Sequence, residues 1–98
     1  MHIITHARIV VAQRRLPECS RALDFWYRLM KRGTYRNFAE LKSAFGSVDK
    51  VGNVFVFDVG GNKARIVAAI HFNRAKVFVR YVLTHAEYDR GEWKERHR

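Results

Sequence analysis

The sequence contains a single cysteine, Cys19, among 98 residues. One cysteine cannot form an internal disulfide, and its isolation favours a reducing compartment. No apolar run reaches the length of a membrane span, and the arginine-flanked run at residues 9–12 is too short for the core of a signal peptide. Since these patterns are missing, we expect a cytoplasmic protein that does not associate with membranes.

Motifs for metal and cofactor chemistry are also missing. The five histidines lack ligand spacing, apart from His2 and His6, which fall at an expected strand–helix junction. Gly60-Gly61 is not followed by the lysine–serine pair of a phosphate-binding loop. No cysteine–histidine nucleophilic pair is supported either. We therefore expect neither a metal nor a cofactor.

Acidic residues are scarce, with nine Asp and Glu against nineteen Lys and Arg and a formal net charge of +10. The basic excess is concentrated in residues 1–36 and 63–98, whereas residues 37–62 are almost neutral. This distribution suits a polyanionic partner. Charge does not decide the class alone, because acidic proteins attract such surfaces and a generic solubilising surface is also basic.

Apolar periodicity predicts helices in the first half of the chain, after a short strand at residues 1–4. A first helix is expected at residues 5–15 and a second, opened by proline, at residues 17–32. A capping-box pattern opens a short third helix at residues 37–45. The buried stripe of the second helix comprises Cys19, Ala22, Leu23, Trp26, Leu29 and Met30.

Alternating apolar residues predict a small sheet in the second half. Strands are expected at residues 48–51 and 54–59, and the glycine turn at 60–62 leads into a further hairpin. Thr84 and Glu87 have capping-box spacing, so a short helix starts there. The expected fold is one α+β domain over residues 1–98. N-terminal helices pack on one face of a mainly antiparallel sheet, and a short helix follows it.

The two arms of the last hairpin each have one apolar face. An even-length loop centred on residues 74–75 places both faces on one core. The arms then pair Phe72 with Val77, and Ile66 with Leu83. The expected core set is Ala64, Ile66, Ala68, Ile70, Phe72, Val77, Val79, Tyr81 and Leu83. The expected open face carries Arg65, Val67, Ala69, His71, Lys76, Phe78, Arg80 and Val82.

This open face and the following helix carry the candidate site. Arg65 and Arg80 offer cationic forks for a phosphate, and His85 and Tyr88 can exchange protons. Together they fit metal-independent RNA cleavage, in which a 2′-hydroxyl attacks the adjacent phosphate. Beside the arginines we expect a lowered pKa for Tyr88. The residues expected to contact RNA are Asn62, Lys63, Arg74, Lys76 and Phe78.

The residue types alone favour cleavage and simple RNA binding about equally. His85 could serve only to cap the helix, and Tyr88 could pack against Trp93. The sequence therefore leaves a non-catalytic RNA- or ribosome-binding module open beside an endoribonuclease.

Longer segments carry a family resemblance. VFDVGGNKARIVAAI at residues 56–70 and RYVLTHAEYDRGEWK at residues 80–94 resemble the matching segments of HigB-family toxins, a branch of the RelE-like bacterial toxin superfamily. DFWYRLMKRG and NFAELKSAF extend the likeness over almost the whole chain. The site residues carried over by position are Arg65, Arg80, His85 and Tyr88.

The resemblance implies a RelE-like fold and an mRNA interferase that cuts translated mRNA, usually on the ribosome and without metal. It also implies neutralisation by a HigA antitoxin with a helix-turn-helix domain. Asp58 departs from the pattern, because similar sequences often have asparagine there. We expect Asp58 beside Lys63 or Arg65, where its charge would orient the cation and weaken the positive field.

One more function class stays open. Relatives of the ParE type share a toxin-like fold but act on gyrase. Such a toxin needs no acid–base pair on the sheet face, so the presence of His85 and Tyr88 argues mildly against it.

Overall fold

The computed structural model describes residues 1–61 and 63–95. Its helices are α1 (His6–Arg15), α2 (Ser20–Arg32), α3 (Phe38–Ala44), α4 (His85–Arg90) and α5 (Glu92–Glu95). Its strands are β1 (His2–Ile3), β2 (Asp49–Val51), β3 (Val54–Val59), β4 (Ala64–His71) and β5 (Lys76–Thr84). Short 3₁₀ turns at Pro17–Cys19 and Phe72–Arg74 precede α2 and join β4 to β5. No helix in this part of the chain is long and apolar enough to cross a membrane.

The five strands form one mixed sheet in the order β1-β5-β4-β3-β2. From β2 to β5, each strand pairs antiparallel with the next strand along the chain, whereas β1 runs parallel to β5. The predicted α+β class, with a mainly antiparallel sheet and a short C-terminal helix, is confirmed. Gly60 and Gly61 turn β3 into β4 with φ angles of +64° and +62°, which glycine adopts without steric cost.

The N-terminal helices pack on one face of the sheet. Leu23, Trp26 and Met30 of α2 are buried there, as their helical spacing predicted. Phe57 of β3 meets the rings of Trp26 and Phe45 edge-on, with centroids 5.3 and 5.2 Å away. Edge-to-face aromatic contacts add to the gain from burying apolar surface. This aromatic group joins the helical layer to the middle of the sheet.

Thr5 lies directly before α1, where the first helix was expected to begin, but its side chain does not cap the helix. Its hydroxyl oxygen instead accepts a 2.6 Å hydrogen bond from the backbone N–H of Val79 in β5. The start of α1 is therefore hydrogen-bonded to the part of the β5 edge that β1 does not cover.

The predicted pairing of β4 with β5 is wrong in register. The loop is even in length, as expected, but Ile70 rather than Phe72 lies opposite Val77. Phe72 belongs to the 3₁₀ turn that closes the hairpin. The first arm therefore ends, and the second arm begins, one residue earlier than predicted, and their apolar sets still face one another near the turn.

A bulge in β5 then changes the alternation. Ala68 lies opposite Val79, but Val67 lies opposite Tyr81, so Arg80 is an extra residue in the strand. An extra residue moves every later side chain of that strand to the other face of the sheet.

The bulge overturns part of the predicted core. Ile66 pairs with Val82 rather than Leu83, and Val82 is buried with the helical layer. Tyr81 and Leu83, which were expected in that core, pack on the opposite face.

The face away from α1 and α2 is partly covered and not open as predicted. Helices α4 and α5 return across it, and Trp93 packs there with Val54, Val56 and Val67. The partly buried residues around this second cluster are Val51, Tyr81, Leu83 and Tyr88. The C-terminal helices are thereby seated on the sheet by an apolar contact of their own.

The two phenylalanines Phe57 and Phe25 should differ sharply in their effect on stability. Phe57→Ala removes a ring that is 1% exposed and should lower the free energy of unfolding by about 3–5 kcal/mol. Phe25→Ala is the matched control, because Phe25 is 67% exposed, and should change it by less than about 0.5 kcal/mol. Urea unfolding measures both. Equal losses in the two variants would contradict this packing.

Candidate functional site

Arg65 is the centre of the candidate site and is only 7% exposed. It lies on β4 opposite Asp58 of β3, on the side of the strand away from the helical core. Its Nε donates to Asp58 Oδ1 at 2.8 Å. Of the two cations expected beside Asp58, the structure therefore selects Arg65. A buried guanidinium needs such a partner, because an unpaired buried charge is costly.

The start of α4 brings His85 to Arg65. Thr84 Oγ1 accepts from the N–H of Glu87, and the Glu87 carboxylate accepts from the N–H of Thr84, which forms the predicted capping box. His85 follows directly, and its Nδ1 lies 2.9 Å from Arg65 Nη2. A guanidinium can only donate, so Nδ1 accepts and the neutral ring carries its proton on Nε2.

Asp89 completes a chain of polar contacts. Its Oδ2 lies 3.0 Å from His85 Nε2, one helical turn further along α4, so the Nε2 proton points to a carboxylate. Sequence reasoning missed Asp89, although its position four residues after His85 was a readable signal. We name the set Asp58, Arg65, His85, Tyr88 and Asp89 the Arg65 cluster.

Tyr88 lies against both a cation and an indole. The guanidinium carbon of Arg65 is 5.5 Å from the centre of its ring, and the ring of Trp93 is stacked on it at 5.0 Å. The indole N–H of Trp93 donates to the backbone carbonyl of Tyr88 at 3.1 Å. The packing role considered for Tyr88 is therefore real, and it coexists with contact to Arg65.

Burial raises the pKa of Tyr88 above its usual value of 10.0, and Arg65 only partly opposes the rise. The carboxylates of Asp49, Asp58 and Asp89 add to it. The expected lowering of this pKa is wrong, because desolvation of the phenolate outweighs one arginine whose charge is shared with Asp58. At neutral pH Tyr88 is therefore a protonated donor.

Arg80 lies at the bulge, outside the Arg65 cluster. Its guanidinium carbon is 5.6 Å from the ring centre of Phe78, which meets the ring of His71 edge-on. Phe78 lies opposite Ala69, which is on the same face of β4 as Arg65, and this contact supports the prediction that the two arginines share a face of the sheet. Leu83, opposite Arg65, is three residues beyond Arg80, which separates the arginines by about 10 Å along the strand.

The predicted RNA contacts fall at the two ends of the β4–β5 hairpin. Lys63 is exposed beside the Arg65 cluster, where its backbone carbonyl accepts from the N–H of His85. Asn62 lies outside the described residues. The candidates at the opposite end, near Arg80, are Arg74, Lys76 and Phe78. Among the described candidates, only Lys63 is thus held next to His85.

Two arginines of α1 hold the free edge of β5 and were missed from the sequence. Arg8 donates to the carbonyl of Arg80 at 2.7 Å. Arg15 donates to the carbonyl of Val82 and pairs with Glu87 at 3.1 Å. These contacts join positions 67 to 72 residues apart, so no local pattern reveals them. Arg8, Arg15 and Arg80 thereby border a groove of about 290 Å³ between α1 and β5.

The Arg65 cluster combines a positive charge with side chains that can accept or donate protons. Across residues 1–61 and 63–95, no group of three or more His, Cys, Asp or Glu side chains is placed to hold a metal ion. The side chains of the Arg65 cluster offer acid–base chemistry beside a cation.

A protein-family comparison matches residues 19–91 to HigB_toxin, described as the RelE-like toxic component of a toxin-antitoxin system. The matched segment contains every residue of the Arg65 cluster. The chain belongs to the HigB toxin family. The resemblance seen in the sequence is thereby confirmed.

Curated relatives are similar along most of their length. The mRNA interferase HigB of Escherichia coli O6:H1 is 36% identical over 93 residues, which cover 92% of this chain and 90% of the relative. The mRNA interferase toxin HigB of Escherichia coli K12 is 34% identical over 92 residues, covering 91% and 88%. The mRNA interferase HigB of Shigella flexneri has the same identity and coverage.

Tyr88 should titrate above pH 10.0, since burial raises its pKa. The absorbance difference between the wild type and Tyr88→Phe, followed with pH, isolates its phenolate. Asp89→Asn should lower the midpoint, because that carboxylate contributes to the rise. Circular dichroism over the same pH range excludes unfolding as the cause. A wild-type midpoint below 10 would contradict the burial of this hydroxyl.

Proposed function

We propose that this chain is an mRNA interferase, a toxin endoribonuclease that cleaves translated mRNA on the ribosome and so inhibits translation. Relatives that are at least 34% identical along most of the chain are named mRNA interferases. The observation that carries the proposal is the 2.9 Å contact of Arg65 with His85, beside the phenol of Tyr88. The guanidinium of Arg65, the proton acceptor His85 and the proton donor Tyr88 lie together there.

The proposed reaction needs one proton acceptor and one donor. The 2′-hydroxyl attacks the adjacent phosphorus, the bond from phosphorus to the 5′ oxygen breaks, and a cyclic phosphate and a 5′-hydroxyl result. His85 accepts the proton of the 2′-hydroxyl, and Tyr88 gives its proton to the leaving 5′ oxygen. Tyr88 suits the donor role because its raised pKa keeps it protonated at neutral pH.

The two proposed site arginines have different parts. Arg65 is buried, so it acts as a positioning residue that orients His85 and supports the negative charge of the transition state. When a phosphate approaches, Nη2 of Arg65 turns to it and releases Nδ1 of His85. Arg80 is partly exposed at the bulge and binds a neighbouring phosphate.

The partners follow from the same proposal. A HigA-type antitoxin with a helix-turn-helix domain neutralises the toxin, and the support is the family description, which names a toxin-antitoxin system. The ribosome presents the mRNA, which places the activity in the cytoplasm. Asn62, Lys63, Arg74, Lys76 and Phe78 stay proposed RNA contacts.

Single variants of the acid–base pair test the proposal. His85→Gln and Tyr88→Phe should each lower single-turnover mRNA cleavage by about 10²–10³-fold, because each removes one proton-transfer group. Ribosome binding should stay at the wild-type level, since neither change removes a lysine or an arginine. Cleavage and binding are measured separately on programmed ribosomes.

Matched controls use the same chemical changes elsewhere. His2→Gln on β1 and Tyr27→Phe on α2 should cut like the wild type. If both site variants also cut normally, α4 carries no catalysis. A different outcome, intact ribosome binding without any cleavage by the wild type, would favour the non-catalytic module. A loss of gyrase function would favour the ParE-like alternative.

Asp58 should restrain the cluster through its charge. Asp58→Asn keeps an oxygen that can accept from Arg65 Nε but removes the negative charge 2.8 Å from it. We expect cleavage to rise by about five- to tenfold. The partly exposed carboxylate offsets part of the Arg65 charge, so its removal should lower the activation free energy by about 1 kcal/mol. Asp58→Ala removes the acceptor as well and should lower cleavage. Slower cleavage by Asp58→Asn would show that the ion pair itself, not the acceptor, positions Arg65.

A further inference from the structure

Helix α2 carries a row of cations on its solvent face. Arg21, Phe25, Arg28 and Arg32 follow one another three or four residues apart, so they lie along one side of the helix. All four are exposed, and Phe25, at 67%, is the most exposed large hydrophobic residue of the described chain. At about 1.5 Å of rise per residue, the row is about 16 Å long.

The charge of this row is largely unopposed. Asp24 pairs with Arg28 at 2.8 Å, but both side chains are well exposed, so the pair is weak in water. In the part of the chain that the structure describes, Arg21 and Arg32 form no ion pair. Arg28, Lys31 and Arg32 line a surface hollow of about 390 Å³.

The chemistry of this surface distinguishes between classes of partner. A protein-docking groove has an apolar centre with charges at its rim. Here the hollow is lined by cations, and the aromatic ring stands next to it on the same side of the helix. Cations that follow a backbone, together with an exposed ring for a base to stack on, are typical of RNA-binding surfaces. We name Arg21, Phe25, Arg28, Lys31 and Arg32 the α2 stripe.

We propose that the α2 stripe binds RNA, as a contact separate from the Arg65 cluster. Leu23, Trp26 and Met30 on the other side of α2 pack against the sheet, and Arg65 lies on the far face of that sheet. A helical layer and a sheet therefore separate the two sites, in a molecule whose shortest dimension is 23 Å. The few nucleotides at the cleavage site do not span this distance.

The bound RNA is consequently either a distant flank of the cleaved mRNA or a structured RNA that surrounds it, as ribosomal RNA would. Both present the same ligand, a phosphate backbone with accessible bases. The inference rests on the proposed action on RNA but not on which residues cut. Binding can therefore be tested without cleavage.

The test compares two triple variants in a Tyr88→Phe background, which limits cutting. One is Arg21→Gln, Arg28→Gln, Arg32→Gln, and the matched control is Arg14→Gln, Arg36→Gln, Lys50→Gln, which removes three exposed cations outside α2. Binding to a labelled 30-nucleotide RNA and to purified ribosomes is measured from 50 to 300 mM KCl. The slope of log affinity against log salt should fall by about 2–3 for the stripe variant and by less than about 1 for the control.

Two further variants separate charge from packing. Arg21→Lys, Arg28→Lys, Arg32→Lys should restore the slope, because lysine keeps the phosphate contacts. Phe25→Ala should weaken binding by about five- to one-hundredfold without changing the slope, since a stacked base is lost and no charge is. Thermal unfolding of each variant confirms that the fold is retained.

The outcomes identify the source of the RNA or overturn the proposal. A loss on both probes indicates the mRNA flank, and a loss on ribosomes alone indicates ribosomal RNA. Equal slopes for the stripe and control variants overturn it. Unchanged RNA binding by a stripe variant that its antitoxin no longer inhibits also overturns the proposal, because the stripe is then a surface that binds a protein. Stripe-dependent binding by a wild-type protein that never cuts mRNA would refute the proposed function and leave this inference standing.

Discussion

The buried guanidinium of Arg65 constrains the rest of the structure. A cation at 7% exposure requires partners, because an unpaired buried charge is costly. Asp58 is supplied by the pairing of β3 with β4, and His85 by the capping box that ends β5. Two strands and a helix must therefore be aligned before this one charge is satisfied. The contacts that stabilise Arg65 in the fold are therefore the same contacts that set the geometry of the site.

The bulge in β5 makes that alignment possible. By inserting Arg80, it turns Val82 into the helical core and leaves Tyr81 and Leu83 on the opposite face. These two residues join the cluster around Trp93, which seats α4 and α5 over the sheet. With regular alternation both would lie among the helices, and α4 would lose much of the apolar surface that holds it over Arg65.

Features set by neighbouring residues could be predicted, and those set by distant contacts could not. Helices α1 to α4, the glycine turn and the capping box at Thr84 follow from local spacing and were predicted from it, whereas α5 was not predicted. Arg80 has no glycine or other marker of a bulge, so the register of β5 was wrong beyond it. The predicted direction of the Tyr88 pKa shift was also wrong, because this pKa depends on burial that includes stacking with Trp93. Helical spacing could have identified Asp89 as a neighbour of His85. Its role as the partner of Nε2 becomes clear only once Nδ1 of His85 is known to contact Arg65.

The cations of this protein divide by burial, and burial decides what each can do. Exposed cations such as those of the α2 stripe act through water and are screened over about 8–10 Å at physiological salt, so their attraction for a polyanion falls as salt rises. Arg65 acts in a poorly solvated site, where screening is weaker and its charge is shared among groups within 3 Å. Salt should therefore weaken association long before it alters the proton chemistry of the Arg65 cluster. In a strongly basic chain, burial thus distinguishes Arg65, which is held by Asp58 and His85, from the exposed cations, which face water.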